Sequence, residues 1–389
     1  MAGGKTIVIL GGGIGGIVAA CRLRKRLRKE HRIVVVERTP QYIFAPSFLW
    51  LMTGLRTAGQ ISRPLNELGK KGIEIITGDI ERIAPENRTV YINEKGNVKE
   101  IRGDYLIIAM GAELAPHKVP GLSEAGYSFY TLAGAEALRD ARLNVRKGRI
   151  VILVSGVPFK CPAAPYEAAM LIEYDCRKRK IRQDIQIDLY TPEPGPMGVT
   201  GPEVSRQVRQ MVEARNINFH SEHTVSRVDS SARHIIFTNG ATADFDLLIY
   251  VPPHMAPQPV LDAGLTNESG WVPVNRQTLE TRFAGVYALG DVTGIMLSMG
   301  KPLPKAGVFA HGEAEVAANN IAYAITGKGK PTVFDGQGEC FIETGDGKAG
   351  FGSGNFYSEP VPLVKMRGPN RALHLGKIAF EKYWLFEWF

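Results

Sequence analysis

The amino-acid sequence predicts an α/β protein of two doubly wound, Rossmann-like domains followed by a C-terminal segment that faces a membrane. Three observations predict it. Short apolar, β-branched runs alternate with helical stretches, the rhythm of parallel sheets. One such run, Thr6 to Leu10, leads directly into Gly11-Gly12-Gly13-Ile14-Gly15-Gly16. The chain then closes on Tyr383-Trp384-Leu385-Phe386-Glu387-Trp388-Phe389, an aromatic run unlike anything before it.

Composition bounds the possibilities. A chain of 389 residues, 44% hydrophobic and 22% charged, can hold two or three ordinary cores and is globular. Four cysteines, at 21, 161, 176 and 340, include no Cys-x-x-Cys pair, so neither a disulfide scaffold nor a zinc site is expected and no metal is assigned. The net charge of +8 is densest over Arg22 to Arg32 and Cys176 to Arg182. Solvated helix faces account for these runs, and attraction to anionic lipid is the sharper reading. No nucleic-acid module accompanies the charge, so nucleic acid is not an expected partner. No apolar run reaches about eighteen residues, so no transmembrane helix is predicted. No signal peptide precedes the first strand, which places the expected location on the cytoplasmic side.

The first strand, the glycine turn and the helix after it form a nucleotide-binding unit. Gly11, Gly13 and Gly16 make Gly-x-Gly-x-x-Gly, in which the backbone approaches a pyrophosphate at a helix N-terminus. A second apolar strand, Arg32 to Val36, ends in Glu37, 21 residues past the last glycine, where a ribose hydroxyl would meet it. A carboxylate there repels the 2′-phosphate of NADP. Cys21, on the first helix, reads as a packed small side chain.

A second unit begins at Arg149 to Val154, a buried strand, and continues into a helix over Ala163 to Arg177. Between them a nucleotide site would carry glycines. This chain has Ser155-Gly156-Val157-Pro158-Phe159-Lys160-Cys161. Bulky residues and Pro158 obstruct a phosphate, and Cys161 stands where a helix N-terminus and Lys160 would favour its thiolate. Ile185 to Tyr190 and Glu203 to Ala214 continue the strand–helix rhythm, and Asn239-Gly240 marks a hairpin. Cys340 sits in a second unusual setting, Gln337-Gly338-Glu339-Cys340-Phe341-Ile342-Glu343. Glycines lost from the second unit and kept in the first favour Cys161 and Cys340 as a redox pair over two inert thiols. Glu167, six residues past Cys161, faces back toward it and could accept a proton there; a solvated helix-start carboxylate is the alternative. His254 and His311 read as structural.

Two later segments separate FAD from NAD. Tyr105-Leu106-Ile107-Ile108-Ala109-Met110-Gly111 resembles the strand that closes the first half of a two-dinucleotide-domain, glutathione-reductase-like flavoprotein. Thr281 to Asp291, ending Val286-Tyr287-Ala288-Leu289-Gly290-Asp291, resembles the second flavin signature of that superfamily. The resemblance implies FAD, with Asp291 at the ribityl chain. It also implies an interrupted domain: residues 1–111 as its first half, 112–243 as an inserted domain without a glycine fingerprint, 244–330 as its second half, and 331–389 as the C-terminal segment. The chain is expected to return to the flavin domain near Asp244 to Tyr250.

The whole resembles the sulfide:quinone oxidoreductases, and the related flavoprotein of flavocytochrome c sulfide dehydrogenase. The carrying residues are Gly11 to Gly16, Pro46-Ser47 with Trp50 and Gly54, Cys161-Pro162-Ala163-Ala164-Pro165-Tyr166-Glu167, Gly290-Asp291, Pro304-Lys305-Ala306-Gly307-Val308-Phe309-Ala310 and Cys340-Phe341. Many members have a third redox cysteine; Tyr127-Ser128-Phe129-Tyr130-Thr131 has none, which leaves two cysteines and no attachment point for covalent flavin. The resemblance places Lys305 at the pyrimidine end of the flavin, where a cation stabilises the reduced ring. It implies oxidation of sulfide to polysulfide or sulfur at Cys161 and Cys340, with electrons passing through FAD to a membrane quinone near Phe341. Three rival readings stay open: a type II NADH:quinone oxidoreductase, a sulfide dehydrogenase with cytochrome c as acceptor, and an inactive flavin-binding scaffold.

The tail from Arg371 completes the expectation. A core helix explains two terminal tryptophans poorly, whereas Trp and Tyr suit a membrane–water interface. His374, Lys377, Glu381 and Lys382 are expected to form its polar side. Peripheral attachment to the cytoplasmic face of the cell membrane follows, with burial in a homo-oligomer contact as the alternative.

Overall fold

A computed structural model describes residues 3–389. Strand β1 (Thr6–Leu10), helix α1 (Ile14–Arg26) and strand β2 (Arg32–Glu37) open the chain, joined by β3 (Glu74–Thr77) and β4 (Tyr105–Ile108). The second unit supplies β5 (Gly148–Val154), α2 (Ala164–Lys178), β6 (Ile185–Tyr190), α3 (Pro202–Glu213), β7 (Ile217–His220) and β8 (Leu247–Val251). Strand β9 (Val286–Ala288) and helix α4 (Gly307–Thr326) follow. The last third holds β10 (Gln337–Gly345), β11 (Lys348–Asn355), β12 (Leu363–Asn370) and helix α5 (Arg371–Glu387).

Two parallel sheets carry the architecture. The first runs β9-β4-β1-β2-β3 and the second β7-β6-β5-β8. Their central strands are apolar throughout: Ile7 to Leu10 and Ile150 to Val154 are at most 1% exposed, as strands covered on both faces must be. In parallel sheets the strand ends that carry ligand loops all lie on one edge, so each unit presents its turn there.

One boundary differs from the sequence reading. The strand Leu247–Val251 was expected to reopen the flavin domain, yet it pairs in parallel with Ile150 to Val154 and completes the second sheet. An apolar strand carries no mark of which parallel sheet it joins. The return follows it, where His254–Met255 pairs with Glu113–Leu114 in a two-stranded crossing.

The C-terminal third is an antiparallel meander, β10-β11-β12, with α5 laid against it. Helix α5 reverses the expected sidedness in part: Lys382 is exposed and His374 half-buried. Lys377 and Glu381 are buried, whereas Leu375, Phe380, Tyr383 and Phe386 are 63%, 43%, 57% and 81% exposed. Both tryptophans are interior, each 2% exposed. Trp384 lies 6.1 Å from the Phe44 ring and Trp388 5.5 Å from His311, with the Arg22 guanidinium over it at 5.2 Å. Lys377 and Glu381 turn inward because partners await them. Glu381 accepts from Arg56 Nε at 3.0 Å and Ser47 Oγ at 2.5 Å, and Lys377 donates to Glu167 at 2.9 Å. A buried charge is tolerated only when paired in this way. No helix among the described residues is long and apolar enough to cross a membrane.

Candidate active site

The first glycine turn is built for close approach. Gly11 has φ +102°, and a Cβ there would lie 2.4 Å from the Ala109 carbonyl oxygen. A Cβ on Gly16 would lie 1.9 Å from the Gly11 oxygen, so α1 can start against β1 only with glycine at that position. Gly13 faces open space. Glu37, at the end of β2, accepts from Gly12 N at 2.7 Å and Thr39 N at 3.2 Å, which holds its carboxylate beside the turn.

Beyond β9, Gly290 takes φ +74° and Asp291 is turned inward. Asp291 Oδ1 is buried with no hydrogen-bond partner, and burial pushes its carboxyl pKa up. Glu313, on α4, accepts from Gly290 N at 2.6 Å, and burial raises it to about 7. Lys305 donates to the backbone oxygens of Asp291 at 2.6 Å and Thr293 at 3.1 Å, and its ammonium lies 3.3 Å from the centre of the Trp271 ring. Burial lowers Lys305 to about 8. Gly111 has φ +68° and open space where a side chain would stand. An unsatisfied buried carboxylate, an open glycine turn and a carboxylate at the second strand's end fit a flavin dinucleotide. Gly11, Gly13, Gly16 and Glu37 would hold its adenosine and pyrophosphate; Gly111, Gly290, Asp291 and Lys305 would hold the remainder.

The second turn is closed instead of open. Cys161 has φ +55°, and its amide donates to the Lys305 carbonyl at 2.7 Å. Lys160 and Lys305 form a parallel bridge, and Tyr130 Oη donates to the Lys160 carbonyl at 2.8 Å. The cysteine loop is thus stitched by backbone to the lysine segment of the flavin site. Helix α2 then packs on β10, and that packing brings Cys340 to Cys161. The two thiols are close enough that Cys340 is the main influence on the Cys161 thiol. Cys340 Sγ also lies 3.2 Å from the Phe341 carbonyl.

Two expectations need correction here. The Cys161 thiol is not activated as the sequence suggested: the neighbouring Cys340 and burial push its pKa well above the ordinary value. Lys160 does not serve it, because its ammonium reaches the Ala112 carbonyl at 3.3 Å and faces Asp291. Nor is Glu167 a solvated helix-start carboxylate. It is 2% exposed and accepts from Lys377 Nζ at 2.9 Å and from Glu343 N at 2.7 Å. It does lie near the cysteines, and its charge helps to raise the Cys161 pKa.

Phe341 is half-buried, its ring 4.9 Å from Phe351 and in reach of Gly376 on α5. His254 is buried, donating from Nδ1 to the Pro252 carbonyl at 2.8 Å, and burial lowers it to about 3. Its ring meets Tyr130 edge-on at 5.2 Å. Cys21 and Cys176 are buried apart from these groups, and burial raises both thiols. Sequence reasoning missed Glu313 and Trp271, gave Glu343 no role, and placed Lys377 and His374 on the tail's polar side instead of beside the cysteines. The first could have been sought as an acid on the helix after Lys305; nothing local marks the others.

Residues 5–314 match the family of pyridine nucleotide-disulphide oxidoreductases. The sulfide-quinone reductase of Aquifex aeolicus is 29% identical over 98% of this chain and 91% of its own length. The mitochondrial sulfide:quinone oxidoreductase of Mus musculus is 22% identical over 91% of this chain and 79% of its own. The X-ray structure of the sulfide:quinone oxidoreductase from Aquifex aeolicus superposes with a TM-score of 0.88 at 29% identity, covering 99% of this chain and 91% of that one.

Proposed function

We propose a function from one premise: the chain belongs to the pyridine nucleotide-disulphide oxidoreductase family. It oxidises sulfide and passes the electrons to a quinone, as its similarity to sulfide-quinone reductases supports. The observation that carries this reading is the meeting of Cys161 and Cys340 where a nicotinamide-binding member needs glycines. FAD is the cofactor of the reading, and when bound it supplies a two-electron acceptor between sulfur and quinone.

The chain's own residues do the rest. Cys161 and Cys340 form the disulfide, or a sulfur-bridged form of it, that hydrosulfide opens. Sulfide sulfur bonds to one cysteine and the other leaves as a thiolate. Cys340 is the leaving thiolate of this reading, and the Lys377 ammonium faces both sulfurs and favours negative charge there. Glu167 takes the proton of the resulting persulfide. Lys305 supplies positive charge at the reduced ring. Phe341 and the adjoining face of α5 receive the quinone. Leu375, Phe380, Tyr383 and Phe386 form the apolar face that seats the protein peripherally on the cytoplasmic side of the membrane. Sulfur leaves as polysulfide or elemental sulfur.

The test is anaerobic bleaching of the oxidised flavin band. Sulfide is expected to bleach it within the mixing experiment and NADH is not. Bleaching by NADH with sulfide inert assigns the chain to the NADH:quinone class.

A further inference from the structure

The cysteine pair lies beside a closed group of charges. Lys377 donates to Glu167 at 2.9 Å. Glu343, on the strand that carries Cys340, is 1% exposed. Its Oε1 lies 2.8 Å from His374 Nδ1, and its Oε2 is buried with no partner. The imidazole of His374 is 21% exposed, so it links Glu343 to solvent. Arg56, the remaining cation facing Glu343, is held 3.0 Å from Glu381, and the Trp50 indole lies under both Arg56 and Lys377. Among the described residues, Glu343 is faced by Glu167 on α2, by Lys377 and His374 on α5, and by Arg56 after the Trp50 turn.

We propose that Lys377 exchanges its carboxylate counter-ion, from Glu167 to Glu343, when Glu167 takes a proton at the sulfur site, and that the proton of Glu343 leaves through His374. The inference rests on the reading of Cys161, Cys340 and Glu167 given above. The charges balance. At rest the group holds Lys377 as ammonium, Glu167 as carboxylate and Glu343 as acid. When hydrosulfide opens the disulfide, one S–S bond breaks and one forms, and the persulfide proton moves to Glu167. Lys377 then lacks an anion, and a buried ammonium without one is strongly disfavoured. Glu343 ionises to supply it, passing its proton to His374 Nδ1 while the imidazole releases one to water. One proton enters the group and one leaves. Return of Glu167 to carboxylate resets it through the same imidazole.

Two properties suit the role. Burial pushes Glu343 up to about 8, while the Lys377 ammonium opposes the rise, so the acid form holds at neutral pH and ionises when Lys377 is freed. Burial, then Lys377 and Arg56, lower His374, so the imidazole is neutral and able to accept.

The experiment mixes flavin-loaded protein with sulfide anaerobically in weak buffer containing a pH-indicator dye. Flavin bleaching and proton release are read in the same shot. At pH 7 the wild-type protein is expected to release about one proton per flavin more than Glu343→Gln, the ionisation of sulfide itself being common to both. That excess is expected to halve near pH 8 and to fade as pH rises further, as Glu343 becomes ionised beforehand. His374→Gln is expected to release the same proton at least about tenfold more slowly. This partly exposed position carries the test alone if Glu343→Gln does not hold flavin. Equal release by Glu343→Gln, or an unslowed His374→Gln, overturns the exchange while leaving the sulfide reading intact. A wild-type protein that sulfide fails to bleach overturns that reading and the exchange with it.

Discussion

The protein contains the same strand–turn–helix frame twice, and the two turns do opposite things. In the first, β1 passes to α1 through glycines, with open space at Gly13 and the Glu37 carboxylate held beside the turn. In the second, β5 passes to α2 through Pro158, Phe159 and Cys161. There the corresponding acid after the next strand, Glu193, faces the Tyr166 hydroxyl at 3.4 Å, and burial raises its pKa. Tyr166 is fully buried. So the second unit has filled both places where a dinucleotide would touch it, the turn and the ribose acid. A parallel sheet and a helix fix where a turn stands; the turn's side chains fix what it can hold.

The difference can be broken most severely at the sulfur turn. Cys161→Ser and Cys340→Ser are each expected to slow sulfide-driven flavin bleaching by about a thousandfold or more, with the flavin-to-protein absorbance ratio unchanged. Serine cannot form the bond that sulfide opens. Cys21→Ser and Cys176→Ser are expected to bleach normally and to lose only about 1 kcal/mol of stability, read from denaturant melts. Full activity in Cys340→Ser would remove the paired-cysteine chemistry.

The glycine turn breaks differently. Gly16→Val places a side chain where even a Cβ meets the Gly11 oxygen at 1.9 Å. It is expected to leave the protein purified without flavin and destabilised by about 3 kcal/mol, measured by flavin content and thermal melting. Retention of flavin by that variant would mean that the turn does not seat the dinucleotide.

Stability against pH separates the charged surroundings of the two turns. Glu313 lies by the flavin turn and Glu343 by the sulfur turn, with folded pKa values raised to about 7 and about 8. A raised carboxyl keeps its proton in the folded state after the unfolded chain has lost it. Its protection is therefore complete below about pH 4.5 and is lost as pH rises to the folded value. Each acid removes about 1.4 kcal/mol per pH unit between pH 5 and its folded value, so chemical-denaturation stability is expected to fall by up to roughly 7 kcal/mol between pH 5 and 8.5. Glu343→Gln should flatten the upper part of that fall; an unchanged slope would place the titration elsewhere.

The smallest effect lies farthest from both turns. Phe386→Ser combined with Tyr383→Ser removes exposed apolar area without opening the core. It is expected to weaken liposome binding by about tenfold while moving the melting point little. Truncation before Trp384 is a different experiment, since it removes two buried indoles. Undiminished sedimentation of the double variant would assign attachment to the basic runs.

Local patterns made much of the frame legible. Strand β1, Gly11 to Gly16 and Glu37 lie within one short unit, and Cys161 is conspicuous because it stands where glycine is expected. Leu247–Val251 was assigned to the wrong sheet because parallel strands look alike in isolation. Lys377 and Glu381 were placed on the wrong face of the tail, because hydropathy cannot know that Glu381 meets Arg56 across 325 residues and Lys377 meets Glu167 across 210. The Cys161 pKa was misjudged for the same reason: its strongest neighbour, Cys340, arrives from another strand. Pairings at such separation leave no local trace in one sequence.

Lys305 touches both turns' territories with different parts of itself. Its carbonyl receives the Cys161 amide, and its ammonium ties down the Asp291 and Thr293 carbonyls. The first contact belongs to any residue; the second needs the side chain. Shortening Lys305 therefore detaches one tenant and leaves the other housed. The chain thereby gives the experimenter a single address at which cofactor tuning can be varied while the sulfur loop keeps its backbone anchor.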